Sequence, residues 1–572
     1  MTTDATSSLS IEDAVPLEAV LRLVHDHREQ WALTPVERRR TYLQRVIHDT
    51  MNVAPRWNVA ACRAKGIDRD GPGAGEELLA GIASFVRMAT TLEASLSDIA
   101  TSGRPRYPGP VRQVGDDQLA IGVLPSSVLD KVLYTGLHGE VWFTKGLDEA
   151  TIQARQAEAY HDPLAHAGLS LILGAGNVAS LVPRDILTKL FVEGKVVVIK
   201  ANPVNDYLVP FWEEAFAGLI DAGFVHFVRG GAAEGAYLAS HDFVDDIHIT
   251  GSSATYDAVV WGRGDEAEAR KERGEPRLTT PVSAELGNVS PIIIVPGTWT
   301  KREMAYQAAH VATMLVNNAG FNCLTPRVLV THQAWPQRDE FLAALGEVLA
   351  SVPSREAYYP GARDRWSRFT EGRDDVRLFG DDDGSRLPWT LVAGVDPAHH
   401  DDIVFQVEAF CSLMAETSLE ADSAADFIVS AVDFCNEVLW GTLSATVLVD
   451  PRTAKEAPVA AALDHALATL RYGSVGLNAW HALSFLAGTT TWGAYPGHPT
   501  TDIRSGVGVV ANTFMFADVE KSVVRGPFVA VPTPPWFVTK TRGATAIRRL
   551  LDVQGGRGWR GVPKLLWATL RA

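Results

Sequence analysis

The stretch NNAGFNCLTPR, Asn317 to Arg327, places one of only four cysteines in an Asn/Gly-rich loop between two apolar segments. A free cysteine ordinarily behaves as a small buried hydrophobe. A nucleophilic Cys323 asks for more: a pocket in which its thiolate can form, donors for the oxyanion that its attack creates, a base and an electron acceptor. Three other groupings invite chemistry and are set aside. His399-His400-Asp401-Asp402 are neighbours on a loop and do not converge on one ion, and Asp381-Asp382-Asp383-Gly384 lacks the distal glutamate of a calcium loop, so no metal is expected. Gly174-x-Gly176 lacks the third glycine and distal acid of a dinucleotide fingerprint.

The elements that must position Cys323 alternate in type. Residues up to about 100 carry apolar positions three and four apart and read as helices, the first dozen being expected to fray. QLAIGVLP (118–125) and HGEVWFTK (138–145) read as short strands able to form a hairpin or arm. From Leu169 the apolar runs SLILGAGN, KVVVIKANP, VHFVRG and DDIHITG are separated by helical segments, which implies right-handed βαβ units in a doubly wound parallel sheet. Such a sheet holds nucleotides at the carboxyl ends of its strands. A second α/β region runs through PIIIVPG, VLVTH and LSATVLVD, and the charged segment 262–277 reads as a solvated loop.

With 572 residues, 46% of them hydrophobic, more than one domain is expected. A net charge of -16 argues against nucleic acid as a partner. No run of about 18 apolar residues suggests a membrane span and no secretion signal is read, so the expected address is cytoplasmic. Cys62, Cys323, Cys411 and Cys435 are too widely spaced for a zinc site and are expected to be reduced thiols. After Val531 the composition turns basic, with eight Lys/Arg against one Asp between Lys540 and Arg571. Packing against the protein's own acidic body is the preferred reading, ahead of a partner subunit, an acidic surface or a membrane.

Over roughly residues 140 to 525 the chain resembles the aldehyde dehydrogenase superfamily. SAELGNVSPIIIV (283–295) is similar to the family's Glu-Leu-Gly-Gly-Lys-Ser-Pro signature, NNAGFNCLTPR to its cysteine box and FVDDIHITGSSA (243–254) to its Phe-Thr-Gly-Ser turn. VVVIKANP resembles its lysine-ended strand, and VEAFCS (407–412) its Glu-x-Phe-Gly-Pro segment. Asn177 precedes Lys200 by 23 residues, and Glu285 precedes Cys323 by 38, as in the family.

The resemblance implies a catalytic set of Cys323 as nucleophile, Glu285 as general base and Asn177 as oxyanion donor. It implies a cofactor set of Lys200, Asn202, Gly251, Ser252, Glu408 and Phe410 around NAD or NADP. Lys200-Ala201-Asn202-Pro203 lacks the glutamate that discriminates against a ribose 2′-phosphate, which leaves NADP open. Tyr256 replaces a glycine of the pyrophosphate turn, ELGN replaces ELGG, and Cys411-Ser412 replaces Gly-Pro. Arg327 reads as a structural ion-pair partner.

The implied architecture is α/β: an aldehyde dehydrogenase-like fold with a Rossmann-like cofactor domain, an α/β catalytic domain and a β-arm for oligomerisation. Its segments are 1–117 and 144–286 for the N-terminal helices and cofactor domain, 287–476 for the catalytic domain, 118–143 and 510–530 for the arm, and 531–572 for the basic tail. The implied activity is oxidation of a small-molecule aldehyde to a carboxylic acid by a homodimer or homotetramer. A reductase of an activated acyl group and a weakly active nucleotide-binding scaffold are the alternatives. Trp480, Trp492 and Tyr495 are expected near the substrate, which favours a bulky apolar aldehyde.

Overall fold

Strands that are buried on both faces must be apolar along their length, and the four runs from Leu169 meet that condition. The computed structural model describes residues 11–115 and 117–572. The fraying expected of the first dozen residues falls almost wholly outside these. Helices Ile11–Asp26, Arg28–Ala32, Val36–Ala64, Pro72–Leu78 and Ser84–Ser102 are followed by strands β1 (Val111–Gln113), β2 (Leu119–Leu124) and β3 (His138–Phe143). Next come β4 (Leu169–Leu173), β5 (Val196–Lys200), β6 (Val225–Val228), β7 (Asp246–Thr250) and β8 (Val282–Glu285), then β9 (Ser290–Ile294) and β10 (Pro326–His332).

The first sheet has the order Gly506–Val507, β8, β7, β4, β5, β6. All of its strands from β4 to β8 run parallel, and only Gly506–Val507 is antiparallel. The chain winds outward from β4 to β6, returns to place β7 on the other side of β4, and so creates a crevice between the loops after β4 and β7. The N-terminal helices cover this sheet in one core: Trp31, Trp57 and Leu92 pack with Leu171, Val197 and Ile249.

The second sheet has eleven strands. Its centre is parallel, with β9 between β10 and Ser444–Leu448, and Leu413–Leu419 beyond β10. One face buries Val289, Ile293 and Val328, the other Ile292, Ile294 and Leu329. Strand Val519–Arg525 pairs in parallel with Ser474–Leu477 of the same chain, and β3, β2 and β1 continue antiparallel from it. The segments expected as an arm therefore extend the second sheet of the same chain.

Two segments differ from the sequence reading or complete it. Residues 265–273 form a helix, Asp265–Arg273, where a loop was expected. Acidic residues fill its first turn and basic residues its last, which complements the helix dipole without an apolar stripe. The basic tail packs on its own body: Phe537 stacks on His310 at 5.3 Å, the Val538 N–H donates to Thr313 Oγ1 at 3.0 Å, and helix Gly543–Asp552 lies against Pro72–Leu78.

Candidate active site

The cysteine loop begins where helix Lys301–Val316 is broken by three left-handed residues, Asn318, Ala319 and Gly320, at φ 50°, 55° and 78°. At Gly320 a side chain is sterically barred, because a Cβ would stand 2.2 Å from the Cys411 carbonyl oxygen. Arg327, at the start of β10, fastens the loop to strand Leu413–Leu419. Its buried guanidinium donates to the carbonyls of Gly320 (2.6 Å), Cys411 (2.8 Å) and Leu413 (3.1 Å). Its hydrogen bonds thus go to carbonyl oxygens, and the ion-pair role expected from sequence is met only at longer range, by the charge of Glu408.

Asn177 reaches the same loop from the carboxyl end of β4. Its side-chain amide donates to the Phe321 carbonyl at 3.0 Å. Its own carbonyl accepts from Lys65 Nζ (2.9 Å), Asn318 Nδ2 (3.0 Å) and the Tyr358 hydroxyl (3.0 Å). Lys65 is buried, and its ammonium also bonds Glu77 (2.7 Å) and Asn318 Oδ1 (3.0 Å). An N-terminal helix end, the β4 loop and the cysteine loop are thereby tied through one cation.

Glu285 ends β8 and stands beside Cys323, with which its carboxylate interacts, and beside the Trp492 indole. Burial raises Glu285 to about 7, and its Oε1 has no hydrogen-bond partner. Burial, Glu285 and Glu408 together hold the Cys323 thiol well above its ordinary range, while its own backbone N–H opposes the shift. Of the four cysteines only Cys323 is not fully buried, and Cys411 is pushed by burial to about 11.

Glu408 is likewise raised by burial to about 7, opposed by Arg327, and its Oε1 also lacks a partner. Gly287 makes room for it, because a Cβ there would meet Glu408 Oε2 at 2.3 Å. Behind Glu285 the same sheet face carries a polar cluster. The Thr250 hydroxyl bonds Asp185 at 3.0 Å, His248 Nε2 lies 3.2 Å from that hydroxyl, and His248 Nδ1 meets Ser283 Oγ at 2.9 Å.

The remaining expected positions lie at strand ends. Lys200 closes β5, half-buried, its pKa lowered by burial. The Asn202 side chain accepts from the Val204 N–H at 3.0 Å and so caps the following turn. Gly251 follows β7, and Ser252 caps helix Ser253–Val260 by accepting from the Thr255 N–H at 3.2 Å. Tyr256 is buried in the core beneath that helix. Phe410, at φ 42°, lies 6.1 Å from the Phe321 ring and 5.0 Å from Tyr359, with the Arg365 guanidinium 5.8 Å from its centroid.

Next to this aromatic group opens a cavity of about 630 Å³, bordered by Lys65, Tyr358, Tyr359 and Pro360. A smaller one of about 250 Å³ shares Lys65, Tyr358 and Pro360 and extends to Val204 and Asn205 in the loop after β5. Among the described residues no group of three or more His, Cys, Asp and Glu side chains could hold a metal ion.

Comparisons with known proteins bear on this arrangement. Residues 142–360 match the model of the aldehyde dehydrogenase family. The NADP-dependent glyceraldehyde-3-phosphate dehydrogenase of Bacillus halodurans, solved with NADP, superimposes with a TM-score of 0.60 at 15% identity, over 90% of this chain and 92% of that one. The fold is that of an aldehyde dehydrogenase. An indole-3-acetaldehyde dehydrogenase solved with NAD+ gives a TM-score of 0.60 at 17% identity over 89% of each chain. Among curated proteins, the N-succinylglutamate 5-semialdehyde dehydrogenase of Hahella chejuensis is 26% identical over 211 residues, 36% of this chain and 38% of that protein. Its counterpart in Salmonella enteritidis is 27% identical over 187 residues, covering 32% and 34%. The chain thus matches little more than a third of the length of these relatives.

Within the aldehyde dehydrogenase fold, Cys323, Glu285, Asn177, Glu408 and Phe410 converge around the cysteine loop, while Lys200, Asn202, Gly251 and Ser252 line the strand ends of the first sheet. Sequence reasoning missed Lys65, Tyr358 and Asn318. The paired asparagines of NNAGFNC were an available signal for Asn318, whereas a lysine at a helix end before Gly66 reads as an ordinary solvated cap. Trp480 and Trp492 adjoin the site, Trp480 donating to the Leu324 carbonyl at 3.1 Å. Tyr495 lies elsewhere, 5.2 Å from the Lys521 ammonium.

Proposed function

We propose that the protein is an NAD(P)-dependent aldehyde dehydrogenase that oxidises an aldehyde to a carboxylic acid through Cys323. The observation that carries this reading is the pairing of the Cys323 thiol with a buried carboxylate that has a free oxygen, at the carboxyl edge of a parallel sheet. An unpartnered buried acid is costly and concentrates at functional sites.

Glu285, ionised above about pH 7, takes the Cys323 proton, and the thiolate adds to the aldehyde carbon. The second N–H of the Asn177 amide, the first being given to the Phe321 carbonyl, and the Cys323 N–H serve as donors to the resulting oxyanion, each contributing about 3 kcal/mol. A bound nicotinamide would supply the hydride acceptor that oxidation to the thioester level needs. Glu285, its proton released, then deprotonates a water whose oxygen adds to the acyl carbon. The C–S bond breaks and the acid leaves.

The residues present fit that cofactor. Glu408 offers an unpartnered buried oxygen to a ribose hydroxyl, Phe410 an aromatic face, and Lys200 a half-buried ammonium at the carboxyl end of β5. With Ala201 and Asn202 where an acid would exclude a 2′-phosphate, both NAD and NADP are expected to serve. Val178, Leu181, Phe485 and Trp492 in the cluster around Cys323 favour a bulky apolar aldehyde. The exposed edges at β1 and Val376–Phe379 favour a homodimer or homotetramer. Four free thiols suit a reducing, cytoplasmic compartment.

NAD- and NADP-linked turnover with an aldehyde panel tests the reading. Cys323→Ala should abolish turnover. Glu285→Gln should retain a burst of reduced cofactor and slow steady turnover about 100-fold or more. A Glu285→Gln variant that turns over normally, or a wild type that reduces acyl thioesters and ignores aldehydes, would shift the assignment to an acyl reductase. Cofactor binding with no turnover in either direction would favour a scaffold.

A further inference from the structure

The exposed tryptophans among the described residues are two, Trp559 (54% exposed) and Trp567 (59%), and both lie in the basic tail. Helix Val562–Leu570 is seated by Val562 and Leu565, which are buried against Leu129, Val132, Leu133 and Leu550. At 100° per residue, Leu566, Leu570 and Trp567 fall within one arc of about 100° that starts beside Val562 and turns away from Leu565. Leu566 is 48% and Leu570 73% exposed. The seat is satisfied without these three residues, so the helix has a second, exposed apolar stripe covered only in part, by the Arg571 guanidinium over Trp567.

Cations frame the stripe. Lys564 and Arg571 project on its flank, Arg571 with its guanidinium 4.0 Å from the Trp567 ring centroid, and Arg557 and Arg560 bracket Trp559. All four are exposed, and none forms an ion pair among the described residues. They belong to a segment with eight Lys/Arg and one Asp, in a chain whose net charge is -16.

We propose that this face docks on an anionic phospholipid surface. Tryptophan and leucine on one arc, with arginine and lysine beside it, match an interface whose outer layer is negative and whose next layer is apolar. The guanidinium over Trp567 is poised to remain with the headgroups while the ring enters. A second copy meeting this face by two-fold symmetry would set cations against cations, which disfavours that occupant. The inference is independent of the catalytic reading, and the helix binds the surface without crossing it.

The test is flotation of the full chain with vesicles of phosphatidylcholine alone and of phosphatidylcholine with phosphatidylglycerol. Binding should require phosphatidylglycerol and weaken with added salt. Lys564→Gln with Arg571→Gln should lower partitioning about twenty-five-fold, at roughly fivefold per charge. Trp567→Ser with Leu570→Ser should abolish binding, with unchanged circular dichroism and aldehyde turnover. Equal binding to both vesicle types, or binding to neither, would overturn the proposal. So would a concentration-dependent dimer that dissociates in the Trp567→Ser, Leu570→Ser variant, since the face would then belong to a second copy.

Discussion

Two carboxylates share the pocket of one thiol, and burial keeps a proton on both far longer than water would. Glu285 and Glu408 are each raised to about 7 from an ordinary value near 4.5. Across that window the folded chain holds protons that the unfolded chain has released. Stability therefore falls as pH rises from about 4.5 to 7 and stays reduced above it. Glu285→Gln should be more stable than wild type at pH 8, by on the order of 3 kcal/mol, and nearly equal to it at pH 5. Urea unfolding at the two pH values measures this. The same ionisation should make kcat/KM of the wild type rise through about pH 7, and a flat profile there would separate Glu285 from catalysis.

The cysteine loop is held by neighbouring elements, and the Lys65 ammonium is where three of them meet. Removing that cation leaves the Glu77 carboxylate buried without its partner and strips a donor from the Asn177 carbonyl. Lys65→Met should cost about 3–5 kcal/mol, and Lys65→Met with Glu77→Leu should recover much of it, which a double-mutant cycle by thermal unfolding would register. Such a network joins residues far apart in sequence, so periodicity does not report it. β4, β5, β7 and β9, by contrast, were legible because strands covered on both faces are continuous apolar runs. Cys323, Glu285 and Asn177 were legible as a set from their motifs and order along the chain. Helix Asp265–Arg273 was not, since its charges at the two ends, and no apolar stripe, sustain it. Arg327 was recognised as structural, but its hydrogen bonds go to carbonyls, because a sequence hides which backbone oxygens a loop will present.

At the scale of the whole molecule, the N-terminal helices share one core with the first sheet, while the tail packs on helix Lys301–Val316. The large sheet has a peculiarity of order. β3, from residues 138–143, joins the central parallel strands solely through Val519–Arg525, which lies between it and Ser474–Leu477. During synthesis the hairpin must therefore wait while about two thirds of the protein is made, with one long edge unpaired. Ribosome-stalled chains ending before residue 519 should be cut by protease within 118–143 and chains carrying residue 525 clear of the exit tunnel should resist. Residues 519–525 would then act as the final clasp of assembly, and a cell under heat stress would meet this protein as a client of holding chaperones for most of its time on the ribosome.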